Sequence, residues 1–274
     1  MFTPAKKDMS RPRTIGLLTD FGLSDPYVGQ MKAVLNKKAP ACPVLDISHG
    51  VQPFNVPQAG FFLAASYCHF PKDAVILSVV DPGVGSDRKI VGLQLDERLL
   101  IAPDNGLLSL ALETSWAKEI HAFDLSQAMV APKKISHTFH GRDVFSPLTA
   151  WLALGGDPKG LGGEIDPSTL VSCAWSRPDV VQGRAIAHVL HTDRFGNCVL
   201  NLEAGSLGTP VELNMTSPSI GPLAYVTTYA DMPKGAPGLL EGSQGFLEIA
   251  VNQRSAAKEF GLSIGDKVTL TWEK

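Results

Sequence analysis

The sequence predicts two domains: an α/β N-terminal domain with a largely parallel or mixed sheet, then a smaller, barrel-like all-β C-terminal domain. Three observations predict this. Strand-length apolar runs alternate with helical periodicities through the first half. The pattern changes across residues 167–178, giving domains over 1–172 and 173–274. Beyond that point short apolar segments are separated by Gly, Pro, Asn and Asp turns.

In order, residues 14–19 form a first strand that ends at Asp20, and 21–26 a loop of turn formers. Val28, Met31, Val34 and Leu35 recur at helical spacing, which predicts a helix over 27–39. Residues 44–47 make a second strand and 56–67 a second helix. Strands are expected at 74–80, 90–95 and 99–102, with the turn Pro103-Asp104-Asn105-Gly106 leading into a short helix over 107–112. In the second half, strands are expected at 185–191, 197–201, 224–229, 245–251 and 267–272.

A hydrophobic content of 44% against 19% charged residues allows a full core and argues against disorder. The net charge of −3 comes without a basic stripe, so nucleic acid is not an expected partner. The polar, basic N-terminus lacks an apolar leader, and no run of 18 apolar residues exists. A soluble, cytoplasmic protein with no membrane partner is expected. Cys42, Cys68, Cys173 and Cys198 are scattered without a CxxC pair, so reduced thiols are expected rather than disulfides or metal ligands.

The most informative stretch is Val79-Val80-Asp81-Pro82-Gly83-Val84-Gly85. A buried strand runs into a tight turn, and Asp81 sits at the carboxyl end, where open α/β sheets bind ligands. Arg88 follows closely enough to fold back on Asp81, and an Arg–carboxylate pair has fixed geometry. Downstream, Thr138-Phe139-His140-Gly141-Arg142-Asp143 adds an imidazole at a loop–helix junction. Carboxylate, guanidinium and imidazole together can hold and polarise a water molecule. Asp81 also has a plain reading, as a turn residue satisfying backbone N–H groups.

Other candidates carry paired readings. Asp20 is a turn residue or cap, or a carboxylate for hydroxyls such as a ribose diol. Asp25 is a helix N-cap or a ligand contact. Asn105 belongs to a tight turn with a helix cap, or to the site. Asp193-Arg194-Phe195-Gly196-Asn197 is a hairpin turn with a bulge at Gly196, or a stacking ring flanked by polar groups. Gly242-Ser243-Gln244-Gly245 is a turn or a ligand loop. His137 and His140 form only an HxxH pair, with no HExxH or Cys/His set for a metal. GxGxxG, GxxxxGK[ST] and GxSxG motifs are missing.

Taken as an ordered set, these pieces resemble the S-adenosyl-L-methionine (SAM) hydroxide adenosyltransferases, the adenosine-forming SAM hydrolases related to fluorinase and chlorinase. The stretches are LLTDFG with DPYVG, VDPGVG, APDNGL, TFHGRDVF, DRFGN and LEIA, spread over nearly the whole chain. The resemblance implies a homotrimer with SAM between the N-domain of one subunit and the C-domain of the next. It implies a water-handling set of Asp81, Arg88 and His140. Ribose recognition falls on Asp20, and further substrate contacts on Asp25, Phe54, Asn105, Phe139, Asp193, Phe195, Asn197, Tyr229 and Ser243. SAM is then the substrate, with no cofactor and no metal. Halogenases of the superfamily are expected to carry other residues at Asp81 and His140 and a serine at Gly141. Fluorinase has an insertion for which the short link from Asp96 to Leu99 leaves no room. The water-using branch is therefore expected; a chloride-using enzyme and a non-catalytic SAM or adenosine binder are the alternatives.

Overall fold

The apolar runs of the first half become central strands, because a strand covered on both faces has no polar side to present. The computed structural model describes residues 12–114, 116–130 and 135–273; the polar, basic segment 1–11 lies outside them. The chain divides into two units, Met1–Ser172 and Cys173–Lys274.

In the first unit, β1 (Ile15–Thr19) is buried along its whole length. Helix α1 (Tyr27–Lys38) buries Val28, Met31 and Leu35 along one stripe. Its last turn carries Lys37 and Lys38, cations that complement the carbonyl end. Strand β2 (Val44–Ser48) pairs parallel with β1. Helix α2 (Val56–Tyr67) begins where Asn55 Oδ1 accepts the Gln58 amide at 3.0 Å, an N-cap bond. Strand β3 (Val75–Val79) then pairs parallel with the other side of β1.

The chain therefore steps from β1 to β2 in one direction, then crosses back to β3. Right-handed crossovers put α1 and α2 on opposite faces. The carboxyl ends of β1 and β3 diverge there into a topological switch point, where open sheets bind ligands. Asp20 leaves β1 at this edge, and Asp81 lies two residues past β3.

The sheet continues through β4 (Ile90–Leu95) and β5 (Arg98–Pro103), then α3 (Ser109–Glu113), β6 (Ile120–Asp124), α4 (Ser146–Ala153) and β7 (Glu164–Ile165). Strand order is β2-β1-β3-β5-β4-β6-β7, parallel as far as β5 and antiparallel beyond it. The sheet is thus mixed. Asp96 and Glu97 alone separate β4 from β5, and a parallel crossover needs about a dozen residues. Asp96 adopts a φ of +52°, and its carboxylate accepts the Lys118 and Glu119 amides at 2.9 and 3.2 Å. The short helix expected at 107–112 starts two residues later.

The second unit is built from β8 (Asp179–Val181), β9 (Arg184–Thr192), β10 (Cys198–Glu203), β11 (Val211–Ser217), β12 (Gly221–Pro222), β13 (Ala224–Val226), β14 (Pro237–Glu241) and β15 (Phe246–Val251). A one-turn helix α5 (Ala256–Phe260) and β16 (Lys267–Glu273) complete it. The path β12-β11-β16-β9-β10-β15-β14-β13 curls until β13 approaches β11, giving a nearly closed, barrel-like sheet. Its interior is filled by Val189, Leu200, Leu239, Leu247, Ile249 and Leu270. One expected strand is corrected: β13 stops at Val226, and Tyr229 opens a 3₁₀ turn capped by Thr228 and Asp231.

All four cysteines are free. Among the described residues no helix is long and apolar enough to cross a membrane.

Candidate active site

Asp81 and Arg88 meet across the turn after β3. Arg88 Nε lies 2.7 and 2.8 Å from Asp81 Oδ1 and Oδ2, and Nη2 also donates to Oδ2. Both side chains are at most 7% exposed. The turn is drawn tight by Val84 N–H on Asp81 O and by Ser86 Oγ on Gly83 O. Gly85, at φ +85°, lies against the His137 carbonyl, which a Cβ would approach to 3.0 Å. This contact seats the turn on the loop that carries His140.

His140 is buried, and its Nδ1 lies 3.2 Å from Arg88 Nη2. A π-helical turn, Gly141–Phe145, follows it directly, a feature common at functional sites. Phe145 from that turn places its ring 5.6 Å from the Arg88 guanidinium carbon. Burial, and then the Arg88 cation, lower the His140 pKa below its ordinary value of 6.5. Arg88 Nη1 is buried without a hydrogen-bond partner among the described residues.

Asp20 stands on the same edge. Its Oδ2 accepts the Phe54 amide at 2.8 Å, while Phe54 holds a φ of +66° and exposes its ring. Burial raises the Asp20 pKa, the Phe54 amide opposes this, and the Asp81 charge raises it further. Asn105 ties the neighbouring strand end to the site, its Nδ2 donating to Val80 O at 2.9 Å. Asp25 is exposed and is not the α1 cap: Pro26 holds that position without a side-chain bond. Phe139 is buried edge-on against Phe21 and Tyr27, with Arg142 over its face at 5.1 Å.

A second polar cluster lies within the C-terminal unit. Asp193 Oδ1 accepts the Phe195 and Asn197 amides, both at 2.9 Å, closing the β9–β10 hairpin turn. Gly196 takes a φ of +90° there, and a Cβ would fall 2.1 Å from Ser255 Oγ. Phe195 projects its ring, 79% exposed. Asn197 Nδ2 donates to Asp193 Oδ2 at 3.0 Å and to the Tyr229 hydroxyl at 3.4 Å. Tyr229 in turn donates to Glu248, a buried carboxyl on β15. Burial, and then the Glu248 partner, push the Tyr229 phenol up; burial likewise raises Glu248. Ser243 is exposed in the β14–β15 turn, 3.4 Å from Gln244 Nε2. Sequence reasoning did not single out Glu248. Its signal was a carboxylate inside the apolar run Phe246 to Val251, beside a glycine, Gly242, whose Cβ would lie 2.7 Å from Glu248 Oε2.

Among the described residues no group of three or more His, Cys, Asp or Glu is arranged to hold a metal ion. The first cluster brings a guanidinium, a carboxylate and an imidazole into direct contact.

Residues 15–162 match the family model for the SAM hydroxide adenosyltransferase N-terminal domain, and residues 187–269 that for its C-terminal domain. The chain is 38% identical to an (R)-S-adenosyl-L-methionine hydrolase of Thermus thermophilus, covering 94% of this chain and 99% of that one. It is 25% identical to a fluorinase of an Actinoplanes species, over 94% and 97% of the two chains. A crystal structure of an uncharacterised conserved protein from Thermotoga maritima superposes with a TM-score of 0.81 at 31% identity, covering 94% and 99%.

The Tyr229–Glu248 contact is testable on its own. Tyr229→Phe removes the hydroxyl that joins Glu248 to Asn197 and leaves a buried carboxyl without that donor. A loss of about 1–3 kcal/mol in urea unfolding is expected. Unchanged stability would show that the phenol contributes nothing to this cluster.

Proposed function

Because the chain belongs to the SAM hydroxide adenosyltransferase family, we propose that it hydrolyses SAM to adenosine and L-methionine by in-line attack of a bound water on C5′. The observation that carries this reading is the buried contact series Asp81–Arg88–His140. The name of the Thermus relative, a SAM hydrolase, supports it.

The chemistry asks little of the leaving group. SAM carries a sulfonium, so the C5′–S bond breaks with its electron pair going to sulfur, and methionine departs as a neutral thioether. A C5′–O bond forms from the water, and one proton must be taken up. The enzyme's work is to hold the water in line, hold the ribose and keep bulk water out.

On this reading the roles divide among the three residues. Arg88 stays protonated, so its Nη2 donates and His140 Nδ1 accepts. In the neutral ring the proton then sits on Nε2, and its one lone pair is already engaged. His140 thus serves as a donor that orients the water oxygen. Asp81 has lone pairs left beyond those given to Arg88, and it accepts the proton. Asp20 holds the ribose hydroxyls. Asp193, Phe195, Asn197, Tyr229 and Ser243 serve the adenine and methionine ends. The reading includes a homotrimer and requires no metal or organic cofactor.

Mass spectrometry of products formed from SAM in oxygen-18 water tests the reaction. Labelled adenosine with free methionine is expected, undiminished by EDTA. Formation of 5′-chloro-5′-deoxyadenosine when chloride is added would replace this reading with the halogenase-like one, and adenosine without the label would rule out attack by bulk-derived water. Binding without turnover would leave only a SAM or adenosine binder.

Two further outcomes follow from the division of roles. Asp81→Asn keeps the volume but loses the proton acceptor, so single-turnover rates should fall about 10²–10⁴-fold with SAM affinity nearly unchanged. A mutant that melts early yet reacts at the parent rate would reduce Asp81 to a turn residue. In the parent, protonating His140 puts a hydrogen on Nδ1, facing the Arg88 cation. Its pKa lies below 6.5, so turnover should hold from about pH 8 down to 6.5 and fall only beneath it. An acid limb centred above 6.5 would contradict the buried, cation-facing imidazole.

A further inference from the structure

Asp20 is bracketed by one buried residue that the hydrolytic reading does not use. His49 follows β2 and is 5% exposed. Its ring Nδ1 lies 2.8 Å from Thr19 Oγ1, and Thr19 is fully buried at the end of β1. Its backbone carbonyl accepts the Gly22 amide at 2.8 Å. One residue therefore grips the chain on both sides of Asp20. The same loop grips the carboxylate itself, through the Phe54 amide on Oδ2.

The neighbours of His49 favour one direction for these hydrogen bonds. Asp46 Oδ1 lies 3.1 Å from His49 Nε2, close but poorly aligned for a hydrogen bond, and Lys32 Nζ sits 2.6 Å from Asp46 Oδ2. A carboxylate facing Nε2 favours the proton on that nitrogen, which leaves Nδ1 to accept. Thr19 Oγ1 then donates to Nδ1 and accepts the Phe21 amide at 3.3 Å. Asp20 sits between the two residues this hydroxyl joins. Its Oδ2 is committed to Phe54, and Oδ1 takes no partner from another described residue.

We propose that His49 is a positioning residue for Asp20: through Thr19 Oγ1 and the Gly22 amide it fixes the turn so that Asp20 Oδ1 faces a ribose hydroxyl. This rests on the ribose role of Asp20 in the proposed function. The role is to set selectivity for a ribo- over a deoxyribonucleoside, and His49 touches neither substrate nor water in it.

Calorimetric affinities for adenosine, 2′-deoxyadenosine and 3′-deoxyadenosine test this in the full chain, with melting curves on the same preparations. The parent should prefer adenosine, and Asp20→Ala should abolish the preference. His49→Ala and Thr19→Val should cut the preference about three- to tenfold, the effect of one hydrogen bond made or lost. Thr19→Ser keeps the hydroxyl and should retain the preference. Thr19→Val decides if His49→Ala does not fold. Both variants discriminating as the parent does, whatever their melting temperatures, would overturn the role of His49 while leaving Asp20 intact. A parent without preference, or an Asp20→Ala protein that keeps it, would overturn the ribose reading and the proposal together.

Discussion

A guanidinium buried against a carboxylate sets the terms for everything around it. Arg88 and Asp81 are at most 7% exposed, and removing two charges from water costs several kcal/mol per ion unless geometry repays it. Here the repayment is visible: a two-pronged contact on Asp81, the Phe145 ring beside the guanidinium, and the His140 nitrogen as a further acceptor. Arg88 cannot shed its proton, so it also dictates which nitrogen of His140 is bare. The electrostatic character of the whole cluster follows from that one fixed cation.

The fold supplies the pieces from separate places. Asp81 leaves β3 at the switch point, Arg88 returns across a glycine turn, and His140 arrives on a loop ending in a π-helical turn. Gly85 is needed twice: for its φ of +85° and because its missing Cβ lets the turn sit against His137 O. Asp20 joins from the adjacent strand, and Asn105 Nδ2 binds the Val80 carbonyl just before Asp81. Four chain segments thus meet at one sheet edge, which is where a doubly wound sheet leaves an opening.

Much of this was legible in the sequence, for physical reasons. Helix α2 and strand β4 are apolar runs of fitting length bounded by turn formers, and their observed spans match the expected 56–67 and 90–95. The seven-residue separation of Asp81 and Arg88 across a Pro-Gly turn made their contact foreseeable. Strand β6 was not, because its burial alternates weakly and its place is fixed by pairing with β4. Helix α4 was missed because an eight-residue segment rich in Leu and Ala lacks an amphipathic signature. The Arg88–His140 contact spans 52 residues, and chain-local patterning says nothing at that range; only the ordered motifs implied it. Glu248 and His49 read as a strand residue and a loop residue until the backbone brings them beside Tyr229 and Thr19.

In the proposed reaction Arg88 makes His140 a donor and leaves proton acceptance to Asp81. Nitrogen-15 NMR of histidine-labelled protein at neutral pH tests it directly, with His140→Gln assigning the signal. A neutral His140 ring is expected, with its proton on Nε2 and a bare Nδ1. A ring protonated on Nδ1, or a charged imidazolium at that pH, would contradict it.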